Sequence, residues 1–289
     1  MIYVLNYADG EPYESFRKIN TKSAYKYGKA DKVLEYSSKD IPQSYKNKYK
    51  DIFAYKRGAG LWLWKPYIIL DGLEKCKEGD WLFYCDSGAT FINKISHLID
   101  CANANNLNIL LVEQPLLEKQ FTKRETFIGM SVEGMEQNQL LSGYILLKKS
   151  EESVRFIKEW QQYCEKIDLL SPDRFHYDIE EWDSFYSHRE DQSILSLLRY
   201  KWKLPAFRDP SDYGEMPFMY ASHERAYNPK VYTNSDYPTI ILCNRKAHPL
   251  KYAFMYIIKS FLNRIGVYYT EKRLLKKRNI TKYNANSNI

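Results

Sequence analysis

Residues 79–91, GDWLFYCDSGATF, constrain this chain more than any other stretch. An acidic Gly-Asp turn opens onto a run of apolar and aromatic residues that stops abruptly at Asp86-Ser87-Gly88. A short apolar run bounded by turn residues reads as a buried strand. Such a strand delivers a carboxylate to the carboxyl edge of a sheet, where open α/β sheets bind ligands. Asp, Ser and Gly are also the commonest turn formers, so the triplet alone reads first as plain turn chemistry.

The flanking segments supply the rest of a sheet. Residues 2–7 read as a first strand, 13–27 as a helix and 32–36 as a second strand, which together open a βαβ pattern. Residues 108–112 and 139–147 are further apolar strands, the second interrupted by Ser142-Gly143, and 239–243 is a late one. Gly143 on this reading marks a β-bulge. Val154, Ile157, Trp160 and Cys164 recur at helical spacing, which makes a packing helix with Trp160 in the core. Residues 40–55 read as helix and loop with their lysines on a solvated face, and Lys123-Arg124-Glu125, at a polar helix start, reads on its own as a solvated charge cluster. With 289 residues and 44% hydrophobic content, the chain has enough apolar surface for a substantial core.

Other features exclude function classes. Five widely spaced cysteines without a CxxC pair argue against a disulfide framework or a structural zinc site and suit a reducing cytoplasm. The amino terminus lacks the basic flank and long apolar run of a signal peptide, and no segment has eighteen consecutive apolar residues. From residue 251 onward there are nine Lys/Arg and one Glu, about +8, so the first 250 residues sum to about −1 of the net +7. A near-neutral body is poorly suited to nucleic acid, which needs cationic surface where the ligand lies.

Two blocks accompany the acidic strand. Arg57-Gly58-Ala59-Gly60 precedes Leu61-Trp62-Leu63-Trp64-Lys65-Pro66. Glycines let a backbone approach a ligand closely, and Arg57 and Lys65 bracket the turn with charge suited to a diphosphate. The same block also reads as a helix start, with Pro66 in its first turn and the tryptophans packed inward. The second block, His188-Arg189-Glu190-Asp191-Gln192-Ser193, opens an apolar helix. There Asp191 is either a first-turn acid favoured by the helix dipole or a functional group.

Together RGAGLWLWKP, GDWLFYCDSG and HREDQS resemble the motifs of bacterial glycosyltransferases of capsular polysaccharide and O-antigen synthesis, across about residues 1–250. The resemblance implies a GT-A type fold: one Rossmann-like α/β domain with a mixed central sheet that binds a nucleotide sugar, UDP-linked by family habit, and transfers a hexose to a glycan or lipid-linked acceptor. Carried over, it puts Arg57, Lys65, Asp86, Ser87, Gly88, Ser142 and Gly143 around the donor. It makes Asp191 the residue that orients or deprotonates the acceptor hydroxyl, with Gln192 hydrogen-bonding the sugar. His188 is the rival base, because its unperturbed pKa lies closest to neutrality. Asp86 stands at the first aspartate of a DxD motif and implies a divalent ion, Mn²⁺ or Mg²⁺. Gly88 and Asn244 stand where that family has a second carboxylate and a histidine; His248 lies four residues beyond Asn244.

Residues 251–289 read as a separate amphipathic, basic device. Ala253, Phe254, Ile257, Ile258, Phe261, Leu262 and Ile265 form a helical stripe, and Lys272, Arg273, Lys276, Lys277 and Arg278 follow. The segment either lies on an anionic inner membrane face, making the protein cytoplasmic and peripheral, or docks on the main domain. Two other functions fit parts of the sequence. A non-catalytic carbohydrate-binding protein shares its aromatic richness, and a nucleic-acid-binding protein shares the basic tail.

Overall fold

The computed structural model describes residues 1–176, 178–221, 227–244 and 249–267. A six-stranded sheet organises them. Its strands are β1 (Ile2–Tyr7), β2 (Lys32–Tyr36), β3 (Trp81–Cys85), β5 (Ile109–Leu117), β6 (Asn138–Lys148) and β7 (Ala206–Arg208), in the order β2-β1-β3-β6-β5-β7. β1 pairs parallel with β2 and β3, and β5 parallel with β7, whereas β6 runs antiparallel to both its neighbours. A two-stranded antiparallel ribbon joins β4 (Ala89–Phe91) to β8 (Ile241–Cys243). The mixed α/β class implied by the sequence is the one observed.

Strand periodicity splits the core into two layers. Tyr3, Leu5, Leu82 and Tyr84 point to one face, against the helices Trp64–Glu74, Glu151–Cys164 and Glu190–Lys201. Val4, Trp81, Phe83 and Cys85 point to the other, against Ser96–Ala104 and the β4/β8 ribbon. All five residues of β3 are buried, as expected of a strand covered on both faces. Gly72 lets the Trp64–Glu74 helix lie close on the sheet, since a Cβ there would come within 2.5 Å of Leu5.

Candidate active site

β3 delivers Asp86 to the carboxyl edge, where the residue is half-buried. Its backbone N–H donates to the Gly143 carbonyl at 3.0 Å, and the Tyr84 hydroxyl donates to its Oδ1 at 2.9 Å. Burial, reinforced by the Asp86 charge, keeps that phenol protonated. A Cβ at Gly143 would stand 3.0 Å from Asp86 Oδ2, so only glycine leaves the carboxylate its place. Between the pairs Leu111↔Ile145 and Glu113↔Leu140, two steps of β5 span five of β6. The bulge read from Ser142-Gly143 is therefore present, and it borders Asp86.

Lys65, in the first turn of its helix, is buried against Asp191, with 3.0 Å between Nζ and Oδ2. Its Nζ also donates to Ser142 Oγ at 3.1 Å and lies 5.4 Å from the centre of the Tyr84 ring. Asp191 is the second residue of the Glu190–Lys201 helix, and its side chain serves this ion pair rather than a cap. Burial raises the Asp191 pKa, Lys65 opposes the rise, and Asp86 adds to it. Trp160, fully buried as predicted, donates from Nε1 to the Asp191 carbonyl at 3.0 Å. Gln192 accepts from the Ser142 N–H at 3.3 Å and donates to Gln139 Oε1 at 2.8 Å. It thus ties the start of the Glu190–Lys201 helix to two points of β6.

The Gly-rich block is an unusual turn. Gly58, Ala59, Gly60, Leu61 and Trp62 all have φ between +50° and +96°. Left-handed backbone costs an L-residue roughly 1–2 kcal/mol, and such strain collects at functional sites. At Gly60 a Cβ would lie 2.6 Å from the Phe53 ring. The Trp64 indole closes the turn by donating to the Gly58 carbonyl at 2.8 Å, and it stacks on Tyr7 with 3.8 Å between ring centres. Arg57 is ion-paired with Glu190, the neighbour of Asp191, Nε to Oε1 at 2.5 Å, yet its side chain is 58% exposed. Burial raises the pKa of Glu190 despite Arg57. Both cations expected to stand ready for a diphosphate are thus already neutralised, by Glu190 and Asp191.

Three expectations change. His188 does not titrate near neutrality: burial and the nearby Lys123 push its pKa down to about 3. Its Nδ1 accepts from the Lys123 N–H at 3.3 Å, and its Nε2 has no hydrogen-bond partner among the described residues. Lys123 and Glu125 are not solvated either. They form a buried pair, 1% and 2% exposed, with Nζ and Oε2 3.1 Å apart. Glu125 Oε1 accepts the N–H groups of Phe175 and His176, and Lys123 donates to the Asp173 carbonyl, so the pair fastens the segment before the Asp191 helix.

The third concerns metal. Ser87 is buried and Gly88 half-buried in the turn after Asp86, while Asn244 is buried beside Thr90, whose hydroxyl donates to it at 2.8 Å. Among the described residues no three His, Cys, Asp or Glu side chains come together as an all-protein ion cage; His248 lies outside them. Asp86, with Tyr84 on Oδ1, offers one carboxylate ligand; Mg²⁺ is commonly held by one or two carboxylates together with substrate phosphates, so Asp86 suits an ion that arrives with a diphosphate rather than one caged by protein alone.

Fold and site together define a mixed α/β protein with a charged site at the carboxyl edge of its sheet. No protein-family model and no curated protein sequence matches the chain. Solved structures do. The apo form of mouse xyloside xylosyltransferase 1 is 12% identical over 86% of this chain and 100% of that one, with a TM-score of 0.45. The galactosyltransferase LgtC, in complex with donor and acceptor sugar analogs, is 15% identical over 83% and 86% of the two chains, at 0.42. A glycosyltransferase involved in glycosylation of the major capsid of PBCV-1 is 13% identical over 59% and 68%, at 0.33. At these identities and scores the likeness assigns no activity.

The hydrogen-bond partners that position the site were not singled out from sequence. Tyr84, two residues before Asp86, is signalled only by period-2 spacing, which puts both on one side of the strand. Glu190 is signalled only by standing next to Asp191.

Proposed function

We propose that the chain is a glycosyltransferase that moves a hexose from a nucleotide-sugar donor to a glycan or lipid-linked acceptor in cell-surface polysaccharide synthesis. The observation that carries this reading is the convergence of half-buried Asp86, the space left by Gly143 and the Lys65–Asp191 pair at the carboxyl edge. Sugar hydroxyls both donate and accept, and this group offers carboxylate acceptors beside an ammonium donor.

In the transfer, the bond from the anomeric carbon to the diphosphate oxygen breaks and the nucleotide diphosphate leaves with the electron pair. The acceptor hydroxyl oxygen bonds to that carbon and gives up its proton. Asp191 is the proton acceptor in this reading, since burial makes it a stronger base than an exposed aspartate. With its pKa pushed down to about 3 by burial and Lys123, His188 is the poorer base and is not assigned the role in this reading. Arg57, half out in solvent, swings from Glu190 to the leaving diphosphate, and Glu190, its pKa already raised, takes a proton in its absence.

The test is a panel of UDP-glucose, UDP-galactose and UDP-galactofuranose, scored for nucleotide release and sugar transfer. Asp86→Asn and Asp191→Asn, with folding checked by circular dichroism, are expected to lose turnover by about 10²–10³-fold. Failure to bind any nucleotide sugar would sink the proposal. Binding without turnover would make the protein a carbohydrate-binding module instead.

A further inference from the structure

The helix Pro249–Arg264 sits on the protein the wrong way round for a core helix. An amphipathic helix ordinarily buries its apolar stripe and wets its polar one. Here the polar stripe faces the body. The Tyr252 hydroxyl donates to Asp212 Oδ2 at 2.6 Å, and Tyr256 and Ser260 each donate to a different oxygen of Glu215 at 2.5 Å. Arg264 lies 3.8 Å from the same carboxylate. The opposite stripe points to solvent: Phe254, Ile257 and Phe261 are 64%, 63% and 61% exposed, and Ile265 is 57% exposed. Since hydrogen bonds fix the polar side, the outward direction of the apolar one is set by the fold.

Contiguous exposed apolar surface of this kind marks a contact face. We infer that this face lies in the surface of a lipid bilayer containing anionic lipid. Charge decides between occupants. The segment from residue 251 carries about +8 against about −1 for the rest, with six Lys/Arg and one Glu beyond residue 270. Lys272, Arg273, Lys276, Lys277 and Arg278 lie outside the described residues, so they enter by charge alone. Two copies meeting through this stripe would bring two such segments together, and like charge opposes that. An anionic headgroup layer accepts the cations, and the acyl boundary below it accepts Phe254, Ile257 and Phe261. Among the described residues no helix is long and apolar enough to cross a membrane, so the geometry is of lying on it.

Docking also fixes the face relative to the site. Asp212, which receives Tyr252, accepts the Cys243 N–H at 2.8 Å, and Cys243 pairs with Ala89, three residues beyond Asp86. The bilayer face and the sheet edge are therefore parts of one framework. This inference does not rest on sugar transfer, and its test is separate.

The experiment is flotation of the full chain with phosphatidylcholine vesicles, with and without phosphatidylglycerol. The chain is expected to float with the phosphatidylglycerol vesicles. The triple variant Phe254→Ser, Ile257→Ser, Phe261→Ser is expected to bind at least about ten-fold less, because it strips the apolar share of the contact. Folding of the variant is checked by circular dichroism. As a second measure, the Phe254→Trp variant should show a blue shift in emission on adding anionic vesicles. The inference is overturned if the unaltered chain stays at the bottom of the gradient, if the triple variant floats equally well, or if the emission of the Phe254→Trp variant does not move. A dimer on gel filtration that the triple variant dissociates overturns it too, because a second copy then covers the stripe.

Discussion

Two buried ion pairs lie near the Glu190–Lys201 helix start, and they are built to different ends. Lys123–Glu125 is committed to backbone: the carboxylate receives two N–H groups and the ammonium gives to a carbonyl. Lys65–Asp191 touches mainly side chains, Ser142 Oγ among them, and borders a half-buried carboxylate. Burial pushes the pKa of Glu125 up, but the His176 N–H and Lys123 outweigh it and the net shift is downward. For Asp191 burial prevails and the shift is upward. Backbone partners make a charge a fastener, and side-chain partners leave it available for chemistry.

The largest effect that tests this contrast is on stability and turnover together. Asp191→Leu alone leaves Lys65 charged and buried, a loss of about 3–5 kcal/mol, whereas Lys65→Met with Asp191→Leu should restore most of it. That double variant remains folded but loses turnover. Lys123→Met with Glu125→Leu should recover less, because the Phe175 and His176 N–H groups and the Asp173 carbonyl lose the partners that hold their segment. Urea unfolding and nucleotide-sugar assays on all variants check this; full recovery of the second pair erases the contrast.

A smaller effect is expected at the bulge. Gly143→Ala places a Cβ 3.0 Å from Asp86 Oδ2 and shifts the carboxylate by a few tenths of an ångström. Turnover should fall about ten-fold with the unfolding midpoint nearly unchanged, since small displacements of reacting groups are costly to rate. Full activity in the Gly143→Ala variant would remove Asp86 from the site.

The smallest effect is the pH dependence of stability, where the pairs have opposite signs. Glu125, with its folded pKa depressed, contributes stability fully present above the ordinary value of about 4.3, lost as pH falls through the folded value. Asp191, with its pKa raised, contributes stability present below about 3.9, lost as pH rises through its folded value. Unfolding midpoints across the acid range should therefore flatten on the acid side in Glu125→Gln. In the Lys65→Met, Asp191→Leu variant the decline with rising pH should disappear. Equal slopes in both variants would contradict the assignment.

The sheet edge was legible because strand and turn are local signals: β3 ends where the apolar run stops, and Asp86 follows it. The bulge at Ser142-Gly143 was legible for the same reason. Partners were not, because Arg57–Glu190 joins residues 133 apart and Lys65–Asp191 is nearly as remote. Charge clusters mislead on their own: Lys123-Arg124-Glu125 has a solvated composition, yet contacts from Asp173, Phe175, His176 and His188 accompany the burial of two of the three. The C-terminal helix shows a further limit. Periodicity found the apolar stripe, but which stripe faces the body depends on Asp212 and Glu215, far from it in sequence.

Arg57 and Lys65 leave opposite ends of one left-handed turn and fasten to consecutive carboxylates, Glu190 and Asp191. A segment pinned once pivots; pinned twice, it keeps its bearing. If the rim pin opens for a ligand, the inner pin at Lys65 still holds the helix start, and Trp64, buried and stacked on Tyr7, stays with it.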